Sequence, residues 1–140
     1  MERYVHRVHY YETDAMGIVH HSNYVRWMEE ARDAYLTQIG WGPENFEKAG
    51  IFSSIVSVEC NYKRPAFFQD EIVIICSIEE YNGIKLVNGY EMRNAKTDEL
   101  IFTGKSTMCF IGRDAKLIIL KRRFPEFDQL INSLKDVKIK

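Results

Sequence analysis

The sequence predicts an α+β domain in which a mainly antiparallel sheet of five strands wraps around one long helix. Three observations carry this expectation. A single strongly amphipathic helical pattern lies near the N-terminus, and about sixty residues of two-residue alternation follow it after a short connection. No further strand–helix–strand alternation appears, as a parallel α/β sheet would require.

Residues 3–11, rich in Tyr, Val and His, read as the first strand and run into the loop Glu12-Thr13-Asp14-Ala15-Met16-Gly17. From Tyr24 onward Trp27, Met28, Ala31, Ala34 and Tyr35 recur at spacings of three and four, with Glu29, Glu30, Arg32 and Asp33 largely on the opposite face. Ser22 suits an N-cap and Gly40 a terminator, so the helix is expected from Asn23 to Ile39. The Gly- and Pro-punctuated connection that follows is expected to contain a short turn at Pro43–Ala49. Ile72, Ile74, Cys76 and Ile78 then share one parity, as do Leu86, Asn88, Tyr90 and Met92, and Ile101–Ile111 keeps the same rhythm. Asn82-Gly83 and Lys96-Thr97-Asp98-Glu99 supply the turns between these runs. Pro125 to Leu134 carries Phe127, Leu130, Ile131 and Leu134 at helical spacing, and the lysine-rich end is expected to fray. Only the long helix is large enough to cover the sheet. The other face and the edges therefore point to partner subunits.

The chain of 140 residues, 46% apolar and 28% charged, suits one domain with one core. A formal net charge of -1 argues against nucleic acid as a partner, because that binding neutralises several phosphates with clustered cations. The charged N-terminus does not resemble a secretory signal, and no run approaches the roughly 18 apolar residues of a membrane span. A soluble, cytoplasmic protein is expected. Cys60, Cys76 and Cys109 show no C-x-x-C spacing and sit in apolar alternating stretches, so they read as free buried thiols.

The chemistry is concentrated in Tyr11-Glu12-Thr13-Asp14-Ala15-Met16-Gly17-Ile18-Val19-His20-His21-Ser22-Asn23-Tyr24, followed on the helix by Glu30-Ala31-Arg32. This stretch resembles the signature of the 4-hydroxybenzoyl-CoA thioesterase family, in particular its short bacterial acyl-CoA thioesterases. Asp14, Gly17, Val19, His21, Asn23 and Tyr24 carry the match, and length and strand order extend the similarity over nearly the whole chain. The resemblance implies a hot-dog fold, dimers built edge to edge and frequently tetramers. It also implies hydrolysis of an acyl-CoA or acyl carrier protein thioester with no cofactor, and it places Asp14 at the family's catalytic aspartate. Glu12 stands where many members have Asp, and His20 where an aromatic residue is common.

The residue chemistry agrees. Thioester hydrolysis needs a negative group that attacks the carbonyl or takes a proton from water, and donors aimed at the oxygen that becomes an anion. Asp14 fits the first role as general base or as nucleophile; its plainer alternative is a turn aspartate. The amides that begin the helix, near His21–Tyr24, fit the second, because they lack intrahelical partners at the positive end of the dipole. His21 either orients water or bonds the thioester oxygen, or is merely a cap-region histidine. Gly17, Val19, Asn23 and Tyr24 are assigned to the substrate-binding surface. Within that set Asn23 also suits a first-turn hydrogen bond, and Tyr24 belongs to the apolar stripe with Trp27 and Met28. Glu29 and Glu30 read as solvated or ion-paired.

Arg64 beside Lys63, and Arg122 within Lys121-Arg122-Arg123, are the candidate ligands for the coenzyme A phosphates. No metal site is expected, because adjacent His20-His21 rarely chelate together and His6 and His9 would have opposite strand parity. Neither a glycine-rich phosphate loop nor G-x-S-x-G occurs. Two other readings keep the fold: a non-catalytic acyl-thioester-binding or scaffolding module, and an enzyme that hydrates an enoyl thioester.

Overall fold

The computed structural model describes residues 3–135. Five strands form one antiparallel sheet: β1 (Tyr4–Arg7), β2 (Phe52–Tyr62), β3 (Glu71–Tyr81), β4 (Lys85–Asn94) and β5 (Leu100–Ile111), in the order β1-β3-β4-β5-β2. The helices are α1 (Ser22–Gln38), α2 (Pro43–Ala49), α3 (Leu120–Arg123) and α4 (Pro125–Leu134). The expected α+β architecture, with α1 as its central helix, is present. Fraying of the terminal lysine-rich segment concerns residues outside the described range.

The core follows from two periodicities meeting. On α1 the buried residues are Tyr24, Trp27, Met28, Ala31, Tyr35 and Leu36. They face Ile72, Ile74, Cys76 and Ile78 of β3, Leu86, Tyr90 and Met92 of β4, and Phe102, Met108 and Phe110 of β5. Asn82 and Gly83 turn β3 into β4, with Gly83 at φ +92 and the Asn82 side chain accepting from the amides of Ile84 and Lys85. The Asn94 side chain closes the next turn on the amides of Lys96 and Thr97. Gly40, at φ +90, ends α1 as expected.

Four local expectations are corrected. The first strand does not run over 3–11: it ends at Arg7, and Tyr10–Glu12 forms a single 3-10 turn. The Glu12 carboxylate accepts the His9 amide at 2.8 Å and the His9 carbonyl accepts the Glu12 amide at 3.0 Å, so local bonds replace the ladder there. Ser22 is not an N-cap; it is the first helical residue, and its hydroxyl bonds His20 Nδ1 at 2.8 Å. Arg32 does not lie on the solvated face with Glu29 and Glu30. Its long stem carries the guanidinium inward, where Nη1 donates to the Tyr90 hydroxyl, which is itself hydrogen-bonded to Ser106. Ala34, placed in the apolar stripe by spacing, is exposed, and Leu36 takes a buried place instead. Of the three free cysteines Cys76 is buried, while Cys60 and Cys109 are half-buried.

The two edges differ. β1 is four residues long, whereas β2 offers eleven residues with one edge unpaired. Ile55 and Val58 pair with Met108 and Ser106 and so share the face that α1 covers, yet they are 43% and 42% exposed: α1 meets β2 at Tyr62, through the Tyr24 ring, and leaves the middle of the strand uncovered. A bulge between Ile55 and Ser57 leaves Val56 outside the ladder.

Candidate active site

The segment from Glu12 to His20 is a small hairpin laid at the start of α1. The Asp14 amide donates to Ile18 O, Thr13 bridges Val19, and the His20 amide donates to Glu12 O at 2.8 Å. Asp14 to Gly17 is the turn itself: the Gly17 amide donates to Asp14 O, and the Met16 amide to Asp14 Oδ1 at 2.8 Å. Gly17 sits at φ +79, a conformation that a side chain would strain. One carboxylate oxygen of Asp14 thus serves its own turn, as the plainer alternative expected. The other accepts no hydrogen bond from the described residues.

The hairpin is fixed from beneath. The Val19 amide donates to Ala66 O, and the Val19 side chain is 4% exposed. Asn23 is buried, and its Nδ2 donates to Glu12 O at 2.8 Å while its Oδ1 accepts from Arg26. Glu12 is the centre of this anchorage, at 5% exposure. Its Oε1 lies 2.8 Å from His6 Nε2 and accepts the His9 amide, and its Oε2 accepts Trp27 Nε1 at 2.7 Å. Burial by itself would raise the Glu12 carboxyl; the bonds from His9, His6 and Trp27 outweigh that and hold it below its ordinary value.

A cleft of about 620 Å³ opens beside the hairpin, with Asp14, Thr13, His20, Ser22, Asn23 and Arg26 among its lining residues. Of the residues expected at the substrate, Asp14 and Asn23 are therefore brought together. Val19 and Tyr24 point into the core instead; Tyr24 is 3% exposed and stacked on Phe102 at 5.1 Å, so the two shape the site from below. Burial pushes the Tyr24 hydroxyl up to about 12. His21 is exposed just ahead of α1, its ring 4.2 Å from that of His20 and edge-on to Tyr62, whose hydroxyl donates to His21 O. The His21 amide donates to no group among the described residues.

The two basic candidates separate. Arg64 follows β2, close to the start of β5, with Glu99 at 3.9 Å. Arg122 lies on α3, which follows the far end of β5, so in a single chain it stands away from Asp14.

Sequence reasoning missed Glu12 as an anchor, and its parity argument for His6 and His9 does not apply, because β1 ends between them. Their ring nitrogens and the Glu12 carboxylate offer atoms within 4.8 Å of one another. The Glu12 oxygens are already taken up by hydrogen bonds from the chain. The signal available in the sequence was the spacing His9-x-x-Glu12, that of a capping box.

Comparison with known proteins bears on the domain as a whole. Residues 8–133 match the thioesterase-like superfamily. The YneP protein of Bacillus subtilis is 37% identical over 120 residues, covering 86% of this chain and 87% of that protein. The acyl-CoA thioesterase YbgC of Helicobacter pylori is 27% identical over 135 residues, covering 91% and 98%. A DHNA-CoA thioesterase from Staphylococcus aureus superposes with a TM-score of 0.89 at 32% identity, covering 94% of this chain and 88% of that one. The match over nearly the whole domain, together with the hot-dog architecture, makes this chain a member of the thioesterase-like superfamily.

Proposed function

We propose that the protein is an acyl-CoA thioester hydrolase in which Asp14 activates water or attacks the thioester carbonyl itself. The observation that carries this reading is the divided Asp14 carboxylate: one oxygen is pinned by the Met16 amide, and the other has no partner among the described residues and lies beside an open cleft. That arrangement orients a base or nucleophile while leaving it reactive. The unpaired His21 amide at the start of α1 is the donor for the carbonyl oxygen as it becomes an anion. The relatives named as acyl-CoA and DHNA-CoA thioesterases support the same reaction.

The uncovered edge of β2 supports a homodimer joined edge to edge, with two such dimers giving the tetramer that the resemblance implies. No helix among the described residues is long and apolar enough to cross a membrane. Arg64 is the nearer candidate for the coenzyme A phosphates, and Arg122 would serve from another subunit.

Release of free thiol from short, long and aromatic acyl-CoA, and from carrier-protein thioesters, tests the reading. Turnover with one of them is the expected outcome, and silence with all of them overturns it. A single turnover in ¹⁸O water then tests the nucleophile role of Asp14: label in the Asp14 carboxylate marks a mixed anhydride opened by water at the Asp14 carbonyl, whereas a general base leaves Asp14 unlabelled.

A further inference from the structure

The sequence assigns His20 no catalytic role, yet the hairpin sets it in the cleft with Asp14. Thr13 bridges Val19, with Asp14 bonded to Ile18 and His20 to Glu12 on either side. In such a pair side chains alternate between faces, so Asp14 and His20 are diagonal neighbours on one face while Val19 occupies the other. Burial agrees: Val19 is in the core, whereas His20 and Asp14 both line the cleft.

The imidazole is oriented as well as placed. Its Nδ1 accepts the Ser22 amide at 3.2 Å and lies 2.8 Å from the Ser22 hydroxyl, and the His21 ring packs against it. An N–H can donate only to an unprotonated nitrogen, so Nδ1 is the acceptor and the ring proton resides on Nε2. Among the described residues Nε2 has no partner. The result is an oriented donor on a residue that lines the same cleft as Asp14.

We propose that His20 is a further catalytic residue whose Nε2–H donates a hydrogen bond to the sulfur of the leaving thiolate. The proposal rests on the hydrolase reading above. In its general-base form, water loses a proton to Asp14 as its oxygen bonds to the carbonyl carbon. When the tetrahedral adduct collapses, the C–S bond breaks and its electron pair stays on sulfur. His20 stabilises that charge without giving up its proton, and the proton taken by Asp14 returns to the thiolate directly or through solvent. Acid and thiol are the products, and no other reactant is needed.

A donor to sulfur matters when the thiol is a poor leaving group and little when it is a good one. The test compares His20→Phe, which keeps a ring and removes the donor, with the unaltered protein on an acyl-CoA and on the matching thiophenyl ester. On acyl-CoA, kcat should fall roughly ten- to hundredfold with KM little changed, while the thiophenyl ester loses far less. His20→Gln, which keeps a donor, should recover part of the loss, and His20→Leu, which also removes the donor, carries the comparison if the Phe variant does not fold. Equal losses on both esters, or no loss on either, would overturn the proposal. If the unaltered protein cleaves neither ester, it is the hydrolase reading that fails.

Discussion

The Trp27 indole donates a 2.7 Å hydrogen bond to Glu12 Oε2, tying the buried face of α1 to the backbone two residues before Asp14. The same carboxylate accepts the His9 amide on its other oxygen, so both oxygens serve as acceptors. A carboxamide has one acceptor and one donor end. Glu12→Gln therefore sets an N–H against either the His9 amide or the Trp27 indole and leaves a buried donor unpaired. Loss of about 1–3 kcal/mol of stability is expected in urea unfolding, at an m-value close to that of the unaltered protein.

Acid should expose the same anchor. The Glu12 carboxyl is held below its ordinary value of 4.5 in the folded chain. A depressed carboxyl contributes stability that is fully present above its unfolded value and disappears as pH falls through the folded one. Stability followed from pH 7 downward should therefore decline below about 4.5 partly through Glu12. In Glu12→Gln that part of the decline is absent, so the gap between the two proteins narrows with acid. A gap that stays constant would contradict the role given to the charge.

Asp14→Asn separates chemistry from structure. Asparagine keeps an oxygen for the Met16 amide, so the turn and the thermal midpoint should change little. The variant has no basic or nucleophilic oxygen, and thiol release should fall by about 10²–10⁴. Comparable turnover in the two proteins would move the chemistry away from Asp14.

The sheet, its central helix and the Asp14 turn were legible because each rests on local signals: parity in β3 and β4, three-and-four spacing on α1, and a loop whose glycine needs positive φ. What escaped the sequence depends on contacts between segments. Arg32 reads as a solvated helix residue until Tyr90 and Ser106 receive its guanidinium. Glu12 reads as a variation in a motif until Trp27, fifteen residues on, proves to hold it. His20 reads as a departure from an aromatic and as half of an unpromising metal pair; its orientation depends on the Ser22 amide and hydroxyl, which no spacing rule records.

The uncovered part of β2 yields a prediction about assembly. Two identical edges related by a closed two-fold run antiparallel, which sets the Tyr62 end of one β2 beside the Phe52 end of its copy. Val58 lies on that edge, on the helix-bearing face and 42% exposed in the single chain. Val58→Asp should therefore cost the isolated fold little, while placing an unpaired charge in the joint between copies. Sedimentation should show the unaltered protein at two or four times 16.5 kDa and the variant shifted toward the single-chain mass. Because the Tyr62 hydroxyl holds the His21 carbonyl at the start of α1, thiol release should fall with the mass. A variant that keeps the mass of the unaltered protein would remove β2 from the interface, and a single-chain variant with full activity would show that each hairpin and cleft works alone.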